Sequence, residues 1–313
     1  MEIIRREVDT RLWSEKGSID LPSWLRPIPF LTDEKKITTE AFVAFMDRGG
    51  FQTYADKVGD FIVNNIFPDI PCMLAVDHSL TGGAFKKLIE LYQPEEISLI
   101  VLDSHTDAIP MSVLSEFIRY DIDTNPDTVY DPNDPFLYDR PNSYNASSFL
   151  YYLLGEKVVK PHNLYLLGIS DYPPKRAFRI KDPGIESYVS LFSELRQKGV
   201  TMLTKNDLLL SPSKIKRVLA HIKTPYIYIS IDLDIGARNG IDGVRFLERQ
   251  GLNERQIYQM ASSFRDLLSD GVRLAGIDMM EINPRRAGRI HPGGQDKTYL
   301  IAANMLKIFL KED

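Results

Sequence analysis

Along the chain, short runs of nearly continuous apolar residues alternate with longer stretches in which apolar positions recur every three or four residues. The runs are residues 73–76, 97–102, 164–168, 226–231 and 274–277. Runs this short and this uniformly apolar predict parallel strands covered on both faces. Between them lie amphipathic helices. One is predicted to start at Asp182, an N-cap followed by Pro183, to place Val189, Phe192 and Leu195 on one side, and to stop at Gly199. Another starts at Asn253, with Gln256 set for a capping box and a stripe of Ile257, Met260, Ala261, Phe264 and Leu268. The last runs from about Gly294 to Lys311 and aligns Tyr299, Ala302, Ala303, Leu306 and Leu310.

This alternation predicts an α/β fold with a mainly parallel sheet. The absence of repeats or an obvious linker favours a single domain over residues 1–313. Residues 121–145, with four prolines and many Asp and Asn, read as a long loop. In the first 70 residues, helices over 39–47 and 54–65 are expected, but the pattern does not place them in the fold.

Composition narrows the class. The chain is 43% hydrophobic and 26% charged, which excludes a largely disordered protein. The lone Cys72 excludes a disulfide framework and a Cys-rich zinc module, and fits a reducing cytosol. A net charge of −5 gives no electrostatic reason for nucleic acid as ligand. The first residues carry charges where a secretory signal needs apolar ones, and no apolar run approaches the roughly 20 residues of a membrane span. A soluble, cytoplasmic protein is expected.

Candidate chemistry lies at the ends of the apolar runs. There stand Asp77-His78-Ser79, Asp103-Ser104-His105-Thr106-Asp107, Asp232-Leu233-Asp234 and Asp278-Met279-Met280-Glu281. In open parallel sheets ligands bind beyond the carboxyl ends of the strands, so residues about 200 apart in sequence can meet there. Positions i, i+2 and i+4 share a face in extended backbone, which predicts that Asp103, His105 and Asp107 point together, as do Asp232 and Asp234. Each cluster alone has an ordinary reading: Asp-x-Asp as a turn, His78 as a structural histidine, Glu281 as a loop carboxylate. Their conjunction at four strand ends points to a metal centre. Two His and four Asp form a hard donor set that suits two Mn²⁺ ions better than structural zinc.

These residues resemble the ureohydrolases of the arginase and agmatinase family. That family's Gly-Gly-Asp-His-Ser, Asp-Ala-His-x-Asp, Ser-x-Asp-x-Asp and Glu-x-Asn-Pro motifs correspond here to residues 76–79, 103–107, 230–234 and 281–284. The resemblance implies a three-layer α/β/α fold and a dinuclear manganese site. His78, Asp103, Asp107 and Asp232 would hold one ion; His105, Asp103, Asp232 and Asp234 the other. A hydroxide generated there would attack a guanidinium carbon, with Asp107 moving the proton and Glu281 holding the guanidinium, and urea and an amine would leave.

Three departures bear on substrate. The family's downstream His-Gly pair is replaced by Ser143-Tyr144-Asn145-Ala146-Ser147, which makes Asn145 a candidate substrate contact and leaves His291 as a candidate shuttle. The Pro- and Gly-rich loop after Ser-x-Asp-x-Asp becomes residues 235–245. No Asn/Ser pair that would clamp the α-carboxylate of free arginine is recognisable. The lost clamp fits a branch that acts on arginine within a peptide and converts it to ornithine, and the acidic stretch 121–139 could attract a cationic peptide. A small-molecule guanidino substrate such as agmatine or arginine is the alternative. Deacetylases share the fold, but they use one zinc with fewer carboxylates. A non-catalytic metal-binding protein fits poorly with Asp107 and Glu281 both present. A homo-oligomer is compatible with the sequence.

Overall fold

The computed structural model describes residues 2–22, 26, 28–138, 140–211, 213–236, 240–247, 250–291 and 294–310, with His291 by its backbone alone. Six strands form one parallel sheet: β1 (Cys72–Leu74), β2 (Ile97–Leu102), β3 (Leu164–Ile169), β4 (Thr201–Thr204), β5 (Tyr226–Asp232) and β6 (Arg273–Met280), in the order β1-β6-β5-β2-β3-β4. A two-residue hairpin, β7 (Ile290–His291) with β8 (Gly294–Gln295), stands apart from the sheet.

Five of the six strands coincide with the apolar runs. The sixth, β4, carries only Met202 and Leu203 between threonines and lies half-buried on one edge, so its run is too short to register as a strand. The opposite edge is β1. Cys72 is exposed there.

Helices cover both faces, giving three layers, α/β/α. Alternate side chains of β2 feed separate cores. Ile100 and Leu102 pack with the face built from helices Lys205–Leu210, Ser213–Leu219, Glu254–Ser269 and Thr298–Phe309. Ile97, Leu99 and Val101 pack with helices Gly50–Asn65, Leu80–Tyr92, Phe149–Gly155 and Pro183–Gln197. The expected caps are present: Asp182 accepts from the backbone of Gly184 and Ile185, and Asn253 and Gln256 form a reciprocal box. Helix Thr39–Asp47 has the expected bounds, and the next helix starts at Gly50 rather than 54. The proline-rich loop begins only after Asn125, since residues 121–124 complete helix Met111–Thr124. Among the described residues no helix is long and apolar enough to cross a membrane.

The register levels the carboxyl ends of the central strands. Leu102 lies beside Ile231, and Asp232 beside Met280. Four neighbouring strands, β1, β6, β5 and β2, therefore deliver their following residues to one patch.

Candidate metal centre

The expected side chains meet at that patch. His78 Nδ1 lies 2.9 Å from Asp103 Oδ2, 2.9 Å from Asp107 Oδ2 and 3.4 Å from Asp232 Oδ2. His105 Nδ1 lies 2.9 Å from Asp234 Oδ2 and 3.5 Å from Asp103 Oδ1. Asp103 thus turns one oxygen to each imidazole. His78 and the carboxylates are buried, whereas the His105 side chain is 42% exposed and opens the cluster to solvent.

The convergence comes from turns rather than from a continued pleat. Strand β2 ends at Leu102, and a 3-10 turn follows Asp232. Asp103 Oδ1 accepts from the His105 amide (2.7 Å) and Asp232 Oδ1 from the Asp234 amide (2.8 Å). Each carboxylate closes its own turn and leaves its other oxygen for the cluster. Asp107 and Glu281 lie in the left-handed region at φ 50° and 61°. Strain of this kind in non-glycine residues gathers at functional sites. Gly168 is required behind the cluster: at φ 106° a side chain there would meet Ile235 and the Asp103 carbonyl.

His78 is aimed by a polar chain within the sheet. Ser230 Oγ donates to Asp278 Oδ1 (2.7 Å) and lies 2.8 Å from His78 Nε2. Tyr228 and Thr81 hydroxyls donate to Asp278 Oδ2 at 2.7 and 2.9 Å. Since the Ser230 proton goes to Asp278, His78 Nε2 carries the hydrogen that Ser230 accepts, and the neutral ring presents a lone pair from Nδ1 to three carboxylates. Only a cation, either a proton or a metal, makes that arrangement favourable. Ser230→Ala should leave the fold intact and weaken metal binding about 10- to 100-fold. A metal titration checks this, and unchanged affinity would show that the chain does not orient His78.

The electrostatics state the same need. Burial lowers the His78 imidazole, but Asp103, Asp107 and Asp232 outweigh it and hold the ring well above its usual range. His105 is raised in the same way by Asp103 and Asp234. Burial pushes the Asp103 carboxyl up, and the two imidazoles overcome it and bring it below the usual carboxylate range. Burial and then like charge act together on the others. Asp232 is pushed up to about 7, Asp107 and Glu281 well above the carboxylate range, and Asp234 upward.

The donors fit a pair of hard cations. His78, Asp103 and Asp107 form one group and Asp103, His105 and Asp234 another, each with ligand atoms within 4.8 Å of one another. His78 Nδ1, Asp103 Oδ2 and Asp234 Oδ2 are buried without a hydrogen-bond partner, although other donor atoms lie near 2.9 Å. Neighbouring ligands of an octahedral ion are about 3 Å apart, so this spacing fits donors gathered round one ion.

Glu281 lies beside the cluster, buried, with Oε2 unpartnered. Asn145 is also buried, but its amide serves its own turn: Nδ2 donates to the Ser143 carbonyl and Oδ1 accepts from the Ser147 amide. That turn adjoins Asp107 through the Leu150 amide, which donates to the Asp107 carbonyl. His162 precedes β3 at the far end of the sheet, and His221 bonds the Arg217 carbonyl. The His291 side chain, residues 237–239 of the replaced loop and Asp139 of the acidic stretch lie outside the described residues.

Several residues without a sequence-assigned role belong here. Asp278, which the apolar pattern puts at the end of a strand, stands within β6 instead and anchors the chain that orients His78. Asp171 accepts from the Thr106 amide and hydroxyl and so anchors the loop between Asp103 and Asp107. Lys205 is buried, its ammonium on Ser104 Oγ at 2.6 Å. Arg245 Nη1 donates to Asp77 Oδ2.

The three layers and the acidic His/Asp centre at the carboxyl ends of a parallel sheet are those of an arginase-like α/β/α protein. The sequence profile of the Arginase family matches residues 37–310, and the chain belongs to that family, whose members hydrolyse C–N bonds of guanidino groups. Solved structures agree in fold. Arginase from Bacillus caldovelox covers 100% of this chain and 91% of its own at 15% identity, with a TM-score of 0.58. Proclavaminate amidino hydrolase from Streptomyces clavuligerus covers 83% and 68% at 17% identity, with a TM-score of 0.55. For formimidoylglutamase from Bacillus subtilis the figures are 83%, 65%, 16% and 0.55, so the chain spans just under two thirds of that protein's length. No curated protein matches the chain in sequence.

Proposed function

We propose that the chain is a dinuclear manganese hydrolase that cleaves a guanidino group to urea and an amine, with arginine in a peptide, converted to ornithine, as the favoured substrate. The observation that carries the metal assignment is the buried His78 Nδ1 facing three carboxylates. His78, Asp103, Asp107 and Asp232 would hold one ion, and His105, Asp103, Asp232 and Asp234 the other. Such a pair supplies Lewis acidity and makes water a nucleophile at neutral pH. Glu281 takes the substrate guanidinium through charge-assisted hydrogen bonds from its unpartnered oxygen. Asp107, fixed by its left-handed backbone, accepts the proton of the attacking water at a carboxylate oxygen and returns it to the leaving amine.

The peptide reading is supported by the commitment of Asn145 and by the open side of the cluster. The Asn145 amide is committed to its own turn, and the half-exposed His105 marks an open side. Free arginine, with its two α-charges, then gains little. With Mn²⁺, urea should form from arginyl peptides and hardly at all from free arginine; rapid turnover of free arginine or agmatine would reject the peptide substrate in favour of a small-molecule ureohydrolase. The same reading takes the chain as one cytoplasmic domain, able to form a homo-oligomer, with no nucleic-acid or membrane partner.

A pH dependence follows from the raised groups. Asp232 moves from 3.8 to about 7, so the folded state holds its proton where the unfolded state has lost it. Stability therefore falls as pH rises across that window. The raised His78 and His105 add stability below their unfolded value near 6.5 and lose it as pH rises through their folded values. The low Asp103 acts oppositely, but at lower pH. Without metal, thermal stability should drop between about pH 5.5 and 8, while the stabilisation given by Mn²⁺ should grow, because the ligands bind deprotonated. Melting curves with chelator and with Mn²⁺ measure both trends; a metal-free midpoint that climbs over this range contradicts the buried-cluster electrostatics.

A further inference from the structure

An internal guanidinium stands beside the carboxylate assigned to the substrate. Arg245 Nη1 donates to Asp77 Oδ2 at 3.1 Å and lies 4.0 Å from Glu281 Oε1. The Arg245 side chain is 38% exposed, whereas those of Asp77 and Glu281 are 3% exposed, so the guanidinium caps two buried carboxylates on their solvent side. It is built in rather than draped. The Arg245 amide donates to the Glu281 carbonyl, the Asn283 amide donates to the Gly243 carbonyl, and Val244 bridges Ile282 antiparallel. Behind it, Asp296 and Thr298 accept from the Gly243 amide. Gly243 packs against the Ala287 backbone too closely for any side chain.

We propose that Arg245 is a specificity-determining residue that favours guanidino substrates whose far end is neutral or anionic over those whose far end is cationic. The proposal rests on Glu281 being the guanidinium acceptor. A ligand guanidinium on Glu281 Oε2 then lies close to a fixed positive charge that Asp77 only partly offsets. A second cation on the ligand, a few bonds away and within one screening length of Arg245, adds repulsion; a carboxylate there gains attraction, and an amide is indifferent. An arginine within a peptide and a guanidino acid meet this condition, and agmatine does not.

The test uses the full chain loaded with Mn²⁺ and compares agmatine, guanidinobutanoate and N-acetyl-arginine methylamide by titration calorimetry, with urea release recorded in parallel. The wild type should bind the latter two about tenfold more tightly than agmatine at low salt, and the gap should shrink at high salt. Arg245→Gln should bring the three within about twofold, and Arg245→Lys should keep the order. Equal affinities in the wild type, or an undiminished gap in Arg245→Gln, would overturn the proposal. If urea is still released in that case, the guanidino-hydrolase reading stands and only the role of Arg245 falls. If the metal-loaded wild type binds none of the three, both fall together.

Discussion

Asp232→Asn should strip the protein of bound Mn²⁺ and of urea production while leaving the metal-free fold more stable than the wild type at pH 8. Asp232 Oδ1 closes a turn on the Asp234 amide, a bond that an Asn carbonyl can keep. Its other oxygen faces His78 in a site where burial, Asp234 and Asp103 push its carboxyl up to about 7. Ionised and metal-free at pH 8, this group costs the fold on the order of a few kcal/mol, which the neutral amide avoids. In a chain of this size that is a rise of several degrees in the melting midpoint. The metal needs the charge that the fold does not. Metal content and urea release should drop at least a hundredfold. Retention of two ions and of activity would remove Asp232 from the centre, and a large loss of metal-free stability would make its role structural.

Glu281→Gln should separate binding of the substrate from binding of the metal. Glu281 is buried next to the cluster with one oxygen unpartnered. Loss of a charged partner for a buried guanidinium costs about 2–5 kcal/mol, or roughly 30- to several-thousandfold in kcat/KM. Metal stoichiometry should stay at the wild-type value. Lost metal together with lost activity would place Glu281 among the ligands; full activity would leave the guanidinium without its assigned acceptor.

Much of the centre was legible because its parts are local. Asp103 and His105 sit directly after an uninterrupted apolar strand, and the two-residue spacing of Asp103 to His105 and of Asp232 to Asp234 is that of the turns Asp103 and Asp232 close. A shared strand face accounts for that spacing only in part, because side chain-to-amide turns produce the convergence. The strand β4 escaped because an edge strand need not be apolar on both faces. What the sequence could not reveal was pairing over distance. Arg245 and Asp77 are 168 positions apart, and Ser230 and Asp278 are 48 apart. No periodicity encodes such contacts, so the capping guanidinium and the chain that aims His78 emerge only once β5 and β6 lie side by side.

The strand order also has a consequence for how the protein is made. Strand β6 fits between β1 and β5, although about 200 residues separate it from β1 in sequence. While the chain leaves the ribosome, β1 has no partner and β5 keeps an open edge until residues 273–280 arrive. The nascent protein thus passes through a stage with unpaired strand edges and a half-built acidic cluster, a stage exposed to aggregation and to chaperone capture. Glu281 follows directly after the strand that ends this stage. The carboxylate assigned to the substrate is therefore the last part of the site to form, after β6 has paired with both β1 and β5.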